Sequence, residues 1–419
     1  MGHPAAATRR DVASYVAGIA FQAWTLAAML FTSSALLPSE LAASTWLASA
    51  DTIEVILRSD RDCFASSEWN ESRWESGRLF PGSTTTDPDV RLFAGDDWRF
   101  VALDRERPSL SVVEVQSRLA LHGDLSEHLA PGRRRVPLLV FNPPRDSVMV
   151  WDEDRNRVLT FSTELVLRRV WQLPLDVTAM RTAVTHRYDD GDLMIRWTVQ
   201  ERVVTGNASA RLRLLVTRFR LEDSTVDTVS TVGGQLLANV QGVLLPLPLS
   251  FEPSVAMHGE QTFVYDPSSG LLVVTRSGIP GQKQVYSLRL EAAEGLEISD
   301  SLRTQLLTAQ FGSRAMSRPN LVSALSELPF PETLPPFDHM RVDQIGRLWM
   351  RRVGLDGLRG RSWVVAVPEA GWGHCMVAFP EQFRFVDAVE SEVFGVWRDV
   401  DDGFTIRVFD VNWLTLDTR

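Results

Sequence analysis

The sequence predicts an all-β protein built from six repeated antiparallel sheets. Three observations predict it: a strand–turn–strand phrase that recurs along the chain, apolar residues spaced at period two, and one unit that resolves fully into four short strands. The clearest phrase is V-D-Q-I-G-R-L-W-M-R-R-V-G-L-D at residues 342–356. An acidic residue opens the turn and Gly346 supplies a position where the backbone needs φ > 0. In the strand that follows, Leu348 and Met350 alternate with Trp349 and Arg351. Degraded copies lie at residues 95–104, 144–152, 189–196, 259–266 and 390–398.

Taken in order, residues 1–50 read as a targeting segment. Arg9 and Arg10 precede a mainly apolar stretch at 12–37, and Ala48-Ser49-Ala50 matches a cleavage signature. Cleavage there, cleavage near Ala35, or an uncleaved membrane anchor are all open. Residues 51–419 form the folded part. A strand at 52–58 opens it, with Ile53, Val55 and Leu57 on one side, and a polar surface excursion follows to residue 88.

The first unit spans 89–116. The second places strands at 136–141, 147–151, 158–161 and 165–172, an up-and-down sheet with the pattern of one propeller blade. The third unit covers 182–231, a hydrophobic connection 233–250, and the fourth unit 253–290. The β pattern then stops for a helical insertion at 299–336. Ser299 and Asp300 cap its first helix, which carries Leu302, Leu306 and Ala309, and Pro319 opens a second helix to Leu328. Such insertions sit on one face of a repeat array, often the binding face.

The fifth unit covers 337–379 and the sixth 381–413. The sixth holds only three strands, so the strand at 52–58 is expected to close it and hide the open edge. The expected fold is therefore a six-bladed β-propeller with four-stranded antiparallel blades, its last blade closed by an N-terminal strand, with a short helical insertion between blades four and five.

The phrase V-D-Q-I-G-R-L-W-M-R-R, preceded by L-P-F-P-E-T-L-P-P-F, resembles secreted bacterial six-bladed propellers of the NHL-like superfamily. So does the ending E-Q-F-R-F-V-D-A-V-E-S-E-V-F-G-V-W-R-D-V-D-D-G-F-T-I-R-V-F-D-V, and so does D-S-V-M-V-W-D-E-D-R-N-R-V-L-T-F-S in the second unit. The resemblance covers roughly 90–411 and implies the fold. Related propellers include lactonases, lyases and peptide-binding modules, and a shared fold does not choose among them.

Composition narrows the partners. A formal net charge of -10 argues against nucleic acid and anionic membrane surfaces, leaving membrane contact to the N-terminal segment if it is uncleaved. Positive charge is carried almost wholly by arginine, with Lys283 the single lysine. Cys63 and Cys375 form one bridge or none, and exclude a cysteine-rich zinc site.

Innermost strands of a propeller face its axis, so His186, His258 and His339, with Asp338 and Asp387, are the candidate channel-facing residues for a metal or acid/base site. Ordinary turn or core histidines are the competing reading. Asp104, Arg105, Arg107, Asp152, Asp154, Arg155 and Asn156 fall in corresponding loops and read as hairpin-turn chemistry. Asp399, Asp401 and Asp402 lack the spacing of a calcium loop. No cofactor motif is present. The expected function is an exported binding or scaffolding module for a protein, peptide or carbohydrate ligand, the alternative being a lactonase-like hydrolase or lyase at the channel mouth.

Overall fold

The computed structural model describes residues 52–413 except 58–61, 64–71, 77–78, 81–87, 94–98, 105–106, 115–119, 130–136, 141–145, 174–178, 188–190, 202–208, 241–242, 248–249, 277–282, 291–297, 312–334, 354–361, 369–370, 400–402 and 412. The targeting segment and the second helix expected at 319–328 lie outside the described residues.

Two short strands, β1 (Thr52–Leu57) and β2 (Trp74–Glu75), precede the first sheet. Blade one holds β3 (Asp89–Phe93), β4 (Arg99–Asp104), β5 (Ser109–Glu114) and β6 (Ala120–Asp124). Blade two holds β7 (Leu138–Leu139), β8 (Ser147–Asp152), β9 (Arg157–Ser162) and β10 (Leu167–Gln172). Blade three holds β11 (Ala179–Arg187), β12 (Leu193–Glu201), β13 (Ser209–Phe219), β14 (Val226–Val240) and β15 (Val243–Pro246). Blade four holds β16 (Ser254–His258), β17 (Gln261–Asp266), β18 (Leu271–Arg276) and β19 (Lys283–Leu290), and helix α1 (Asp300–Phe311) follows. Blade five holds β20 (Phe337–Val342), β21 (Leu348–Arg352), β22 (Ser362–Val367) and β23 (Gly373–Ala378). Blade six holds β24 (Phe383–Val389), β25 (Glu392–Arg398) and β26 (Phe404–Asp410).

Each copy of the recurring phrase falls on the second strand of one blade: β4, β8, β12, β17, β21 and β25. These strands are buried on both faces, which is why they read as near-continuous apolar runs. Alternation still decides which neighbour each residue meets. In β8, Val148 and Val150 pack toward blade one, whereas Met149 and Trp151 pack toward blade three. In β21, Leu348 and Met350 face blade four, and Trp349 faces blade six. Six such cores fill the six gaps between successive sheets. The core shared by Phe100 and Ala102 of blade one with Phe394, Val396 and Ile406 of blade six closes the ring. The chain is a six-bladed β-propeller.

Three details differ from the sequence reading. The strand at 52–57 does not close blade six. It pairs in parallel with β19 as a fifth, outermost strand of blade four, with Thr52 opposite Val285 and Leu57 opposite Leu290. The cause is packing: Val55 and Leu57 enter the core shared with Leu288, Leu290 and Phe337, while Ile53 and Ile56 stay exposed. The fourth strand of blade six is β2, antiparallel to β26, with Trp74 opposite Val408 and stacked 6.2 Å from Phe100. Part of the connection 233–250 is also strand: β14 runs through it and β15 pairs back onto β14, so blade three is five-stranded as well. Ser299 does cap α1, accepting at Oγ from Leu302 N–H and at its carbonyl from Arg303 N–H.

Residues 152–157 form a turn, as their composition suggests, and the described ends of 104–107 are joined by a side-chain contact. Asp104 accepts from the Arg107 N–H at 3.1 Å, Asn156 takes φ 50°, and Arg157 pairs with Asp152 at 3.0 Å. The hairpin between β20 and β21 is the most elaborate. Asp343 accepts from the N–H groups of Ile345 and Arg347, from Arg347 Nε and from Trp349 Nε1 at 2.8 Å. Gly346 sits there at φ 86°, where a side chain would be strained and would also press on His258.

Candidate functional site

The first strands of the blades line the axis, and the alternation that buries one face of each turns polar residues toward the channel. Side chains on these strands, together with Arg196 on β12, the second strand of blade three, tie neighbouring blades together. Leu139 N–H of blade two donates to Asp89 of blade one at 3.2 Å. Arg196 of blade three donates to the Pro253 carbonyl at 3.2 Å, at the start of blade four. Ser254 of blade four accepts from the Met340 N–H of blade five at 3.2 Å. Arg341 of blade five donates to the Val386 carbonyl of blade six at 2.6 Å. Arg384 of blade six donates to the Pro88 carbonyl just ahead of blade one. Five of the six seams are bridged in this way.

The five sequence candidates divide between different places. His339 lies on β20 between two partners. Arg341 Nε reaches His339 Nε2 at 3.3 Å, and Ser254 Oγ lies 3.2 Å from His339 Nδ1. A guanidinium can only donate, so Nε2 accepts and the ring proton sits on Nδ1. Burial first, then Arg341, Arg351, Arg91 and Arg196, hold this imidazole well below its usual range. His186, at the end of β11, is buried and pushed down to about 3 by burial and then by Arg91 and Arg196. The two histidines therefore share arginine neighbours and are both neutral near pH 7.

Asp338 is held by Arg351 through two parallel contacts of 2.7 and 2.9 Å. Asp387 and His258 lie elsewhere, at the ends of β24 and β16, on either side of the Asp343–Arg347 turn. Gln344 donates to Asp387 at 3.1 Å, whereas the His258 ring packs against Gly346. Burial and then Asp343 push Asp387 up to about 7. Among the described residues, no three His, Cys, Asp or Glu side chains come together as a metal would need.

Arginines assemble instead. Arg91 on blade one depresses His186 on blade three and both His339 and Arg341 on blade five. Arg341 is pushed down to about 9 by burial, then by Arg91 and Arg384, which outweigh Asp387 and Asp89. Arg91 is ion-paired with Asp89 at 2.7 Å and Arg351 with Asp338, while Arg196, Arg341 and Arg384 donate to carbonyls across the seams. Arg196 also lines a shallow cleft between blades three and four, with Arg213, Gln235 and Glu252.

The sequence reading passed over these arginines, although a signal was present. Three of them lie on first strands and are flanked on both sides by apolar residues: Val90-Arg91-Leu92, Met340-Arg341-Val342 and Phe383-Arg384-Phe385. In a strand, that places one charge on the face opposite the core.

No known family matches the chain, and neither does any curated protein. Solved structures do. A candidate exported protein of Bacteroides fragilis is 11% identical with a TM-score of 0.46, covering 86% of this chain and 100% of its own. A member of the DUF4221 family from Bacteroides vulgatus is 9% identical with a TM-score of 0.40, covering 82% and 98%. A gluconolactonase of Xanthomonas campestris is 9% identical with a TM-score of 0.38, covering 81% and 99%. The likeness is one of fold and gives this chain no activity.

Proposed function

We propose that this protein is an exported binding module whose ligand site is the central channel. The observation that carries the reading is that an inner strand turns buried polar side chains to the axial side of blade five, where Arg341 reaches both His339 at 3.3 Å and the Val386 carbonyl of blade six at 2.6 Å. Guanidinium keeps its proton at every physiological pH, so it binds and orients but serves poorly as acid or base. The groups that could exchange protons are engaged in holding the ring, as His339 is between Ser254 and Arg341. Export is supported by the apolar segment at 12–37 and by the Cys63–Cys375 disulfide, a bond characteristic of oxidising compartments.

A lactonase-like hydrolase is the second reading, favoured by one observation. Burial, and then Asp343, pushes Asp387 up to about 7, the range in which a general base works. Lactone hydrolysis followed against pH, for wild type and Asp387→Asn, separates the two. The binding reading predicts no turnover above the buffer rate. Turnover that rises through pH 7 and vanishes in D387N would establish the enzyme instead.

A further inference from the structure

We propose that the Cys63–Cys375 disulfide is a redox latch on the ring: it holds the closing strand of blade six in place, so the propeller seals only where thiols are oxidised. This goes beyond the binding-module reading and does not depend on it. The closing strand is short. β2 meets β26 at two register positions, Trp74 with Val408 and Glu75 with Arg407, whereas β25 and β26 meet at seven. Among the described residues, its backbone donates to three carbonyls: Arg73 N–H to Val408, Ser76 N–H to Ile406 and Leu79 N–H to Phe404, each at 2.9 Å. Ser76 Oγ adds one contact, accepting from Ile406 N–H at 2.9 Å. Trp74 and Leu79 supply the packing, in the core shared by blades six and one.

So short a strand depends on how its two ends are held. Downstream, the chain enters blade one at Asp89, across the seam. Upstream, β1 holds the chain on blade four, but the Cys63 sulfur is bonded to β23 of blade five, the immediate neighbour of blade six. A covalent anchor beside the docking site raises the effective concentration of the tethered strand. It also stops the whole run from β1 to β2 lifting away as one locally unfolding unit. Without the bond, blade five keeps that run through the Cys63 N–H to Met376 carbonyl contact and the Asp62–Met376 bridge. Lifting it bares the β26 edge, a row of unpaired backbone donors and acceptors.

Both sulfurs are buried, Cys63 completely and Cys375 at 3% exposure, in one core with Trp363, Val365 and Val377. Exchange with a reagent therefore precedes the seating of the strand. The step is thiol–disulfide exchange with a small disulfide such as oxidised glutathione. The reagent takes two electrons and the two cysteine protons and leaves as two thiols, while Cys63 and Cys375 join sulfur to sulfur. A reducing compartment opposes the step, so closure follows export.

The test is amide hydrogen exchange read by mass spectrometry, on oxidised wild type, on wild type refolded and kept in dithiothreitol, and on the double variant Cys63→Ser, Cys375→Ser. The reduced wild type keeps both sulfurs, so it loses the bond without losing the packing. Exchange at Arg73, Ser76, Leu79 and Ile406 is expected to rise tenfold or more in both bond-free forms, while β8 and β9 of blade two keep their protection. Should the serine variant not fold, Cys63→Ala with Cys375→Val keeps the buried site apolar. Equal exchange with and without the bond, faster exchange spread evenly over all six blades, or acceleration confined to Thr52–Leu57 would overturn the proposal.

Discussion

Cys63 and Cys375 are joined by a disulfide across 312 residues of sequence. The bond marks the middle of a strap. Upstream of blade one, the chain runs along the outer edge of blade four as β1 and touches β23 of blade five through the Asp62–Met376 bridge. There Cys63 N–H donates to the Met376 carbonyl at 2.7 Å, and the chain goes on to complete blade six as β2. A crosslink over so long a loop restricts the unfolded chain strongly, and native bonds of this kind contribute about 2–5 kcal/mol. The double variant Cys63→Ser, Cys375→Ser should therefore melt several degrees lower than wild type. An equal melting temperature would mean that the strap holds without the bond.

The closing strand can be tested against the strand that only adorns an edge. Trp74 is buried between blades six and one, while Ile53 is 47% exposed on blade four. Trp74→Ala should cost about 3–5 kcal/mol in denaturant unfolding, and Ile53→Ala much less. Equal losses would show that β2 is not the seam.

Asp343 satisfies a buried arginine and a buried indole together. Asp343→Ala strands the Arg347 charge, which is 5% exposed, and should destabilise by roughly 3–5 kcal/mol. Removing both charges, with Asp343→Ala and Arg347→Met combined, should recover part of that loss in a double-mutant cycle. A variant pair whose losses simply add would contradict the pairing.

Two buried groups set opposing pH slopes. Asp387, raised to about 7 from 3.8, favours the folded state while protonated. Its contribution is complete below pH 3.8 and lost as pH rises through 7. His186, lowered to about 3 from 6.5, works the other way, and stability falls as pH drops from 6.5 toward 3. Asp387→Asn keeps a neutral side chain at every pH. Its melting temperature should match wild type near pH 4 and exceed it increasingly up to pH 7.5. A constant difference across that range would place Asp387 in water.

The repeated second strands were legible because a sheet buried on both faces writes its role locally, as in Val148–Trp151. Turns were legible for the same reason, since Asp343 and Gly346 act within a few residues. Strand partners were not. Whether 52–57 pairs with 285–290 or with blade six depends on where Val55 and Leu57 find a core, and Trp74–Glu75 is too short to show any period. The axial arginines were hidden by geometry. Their contacts are a property of the closed ring, and along the chain Arg341 and the Val386 carbonyl that it reaches stand 45 positions apart.

The central claim is that this propeller binds its ligand at the axis without turning it over. Lactone hydrolysis followed against pH, for wild type and Asp387→Asn, tests it most directly. No turnover above the buffer rate is the predicted result. Turnover that rises through pH 7 and vanishes in D387N would contradict it.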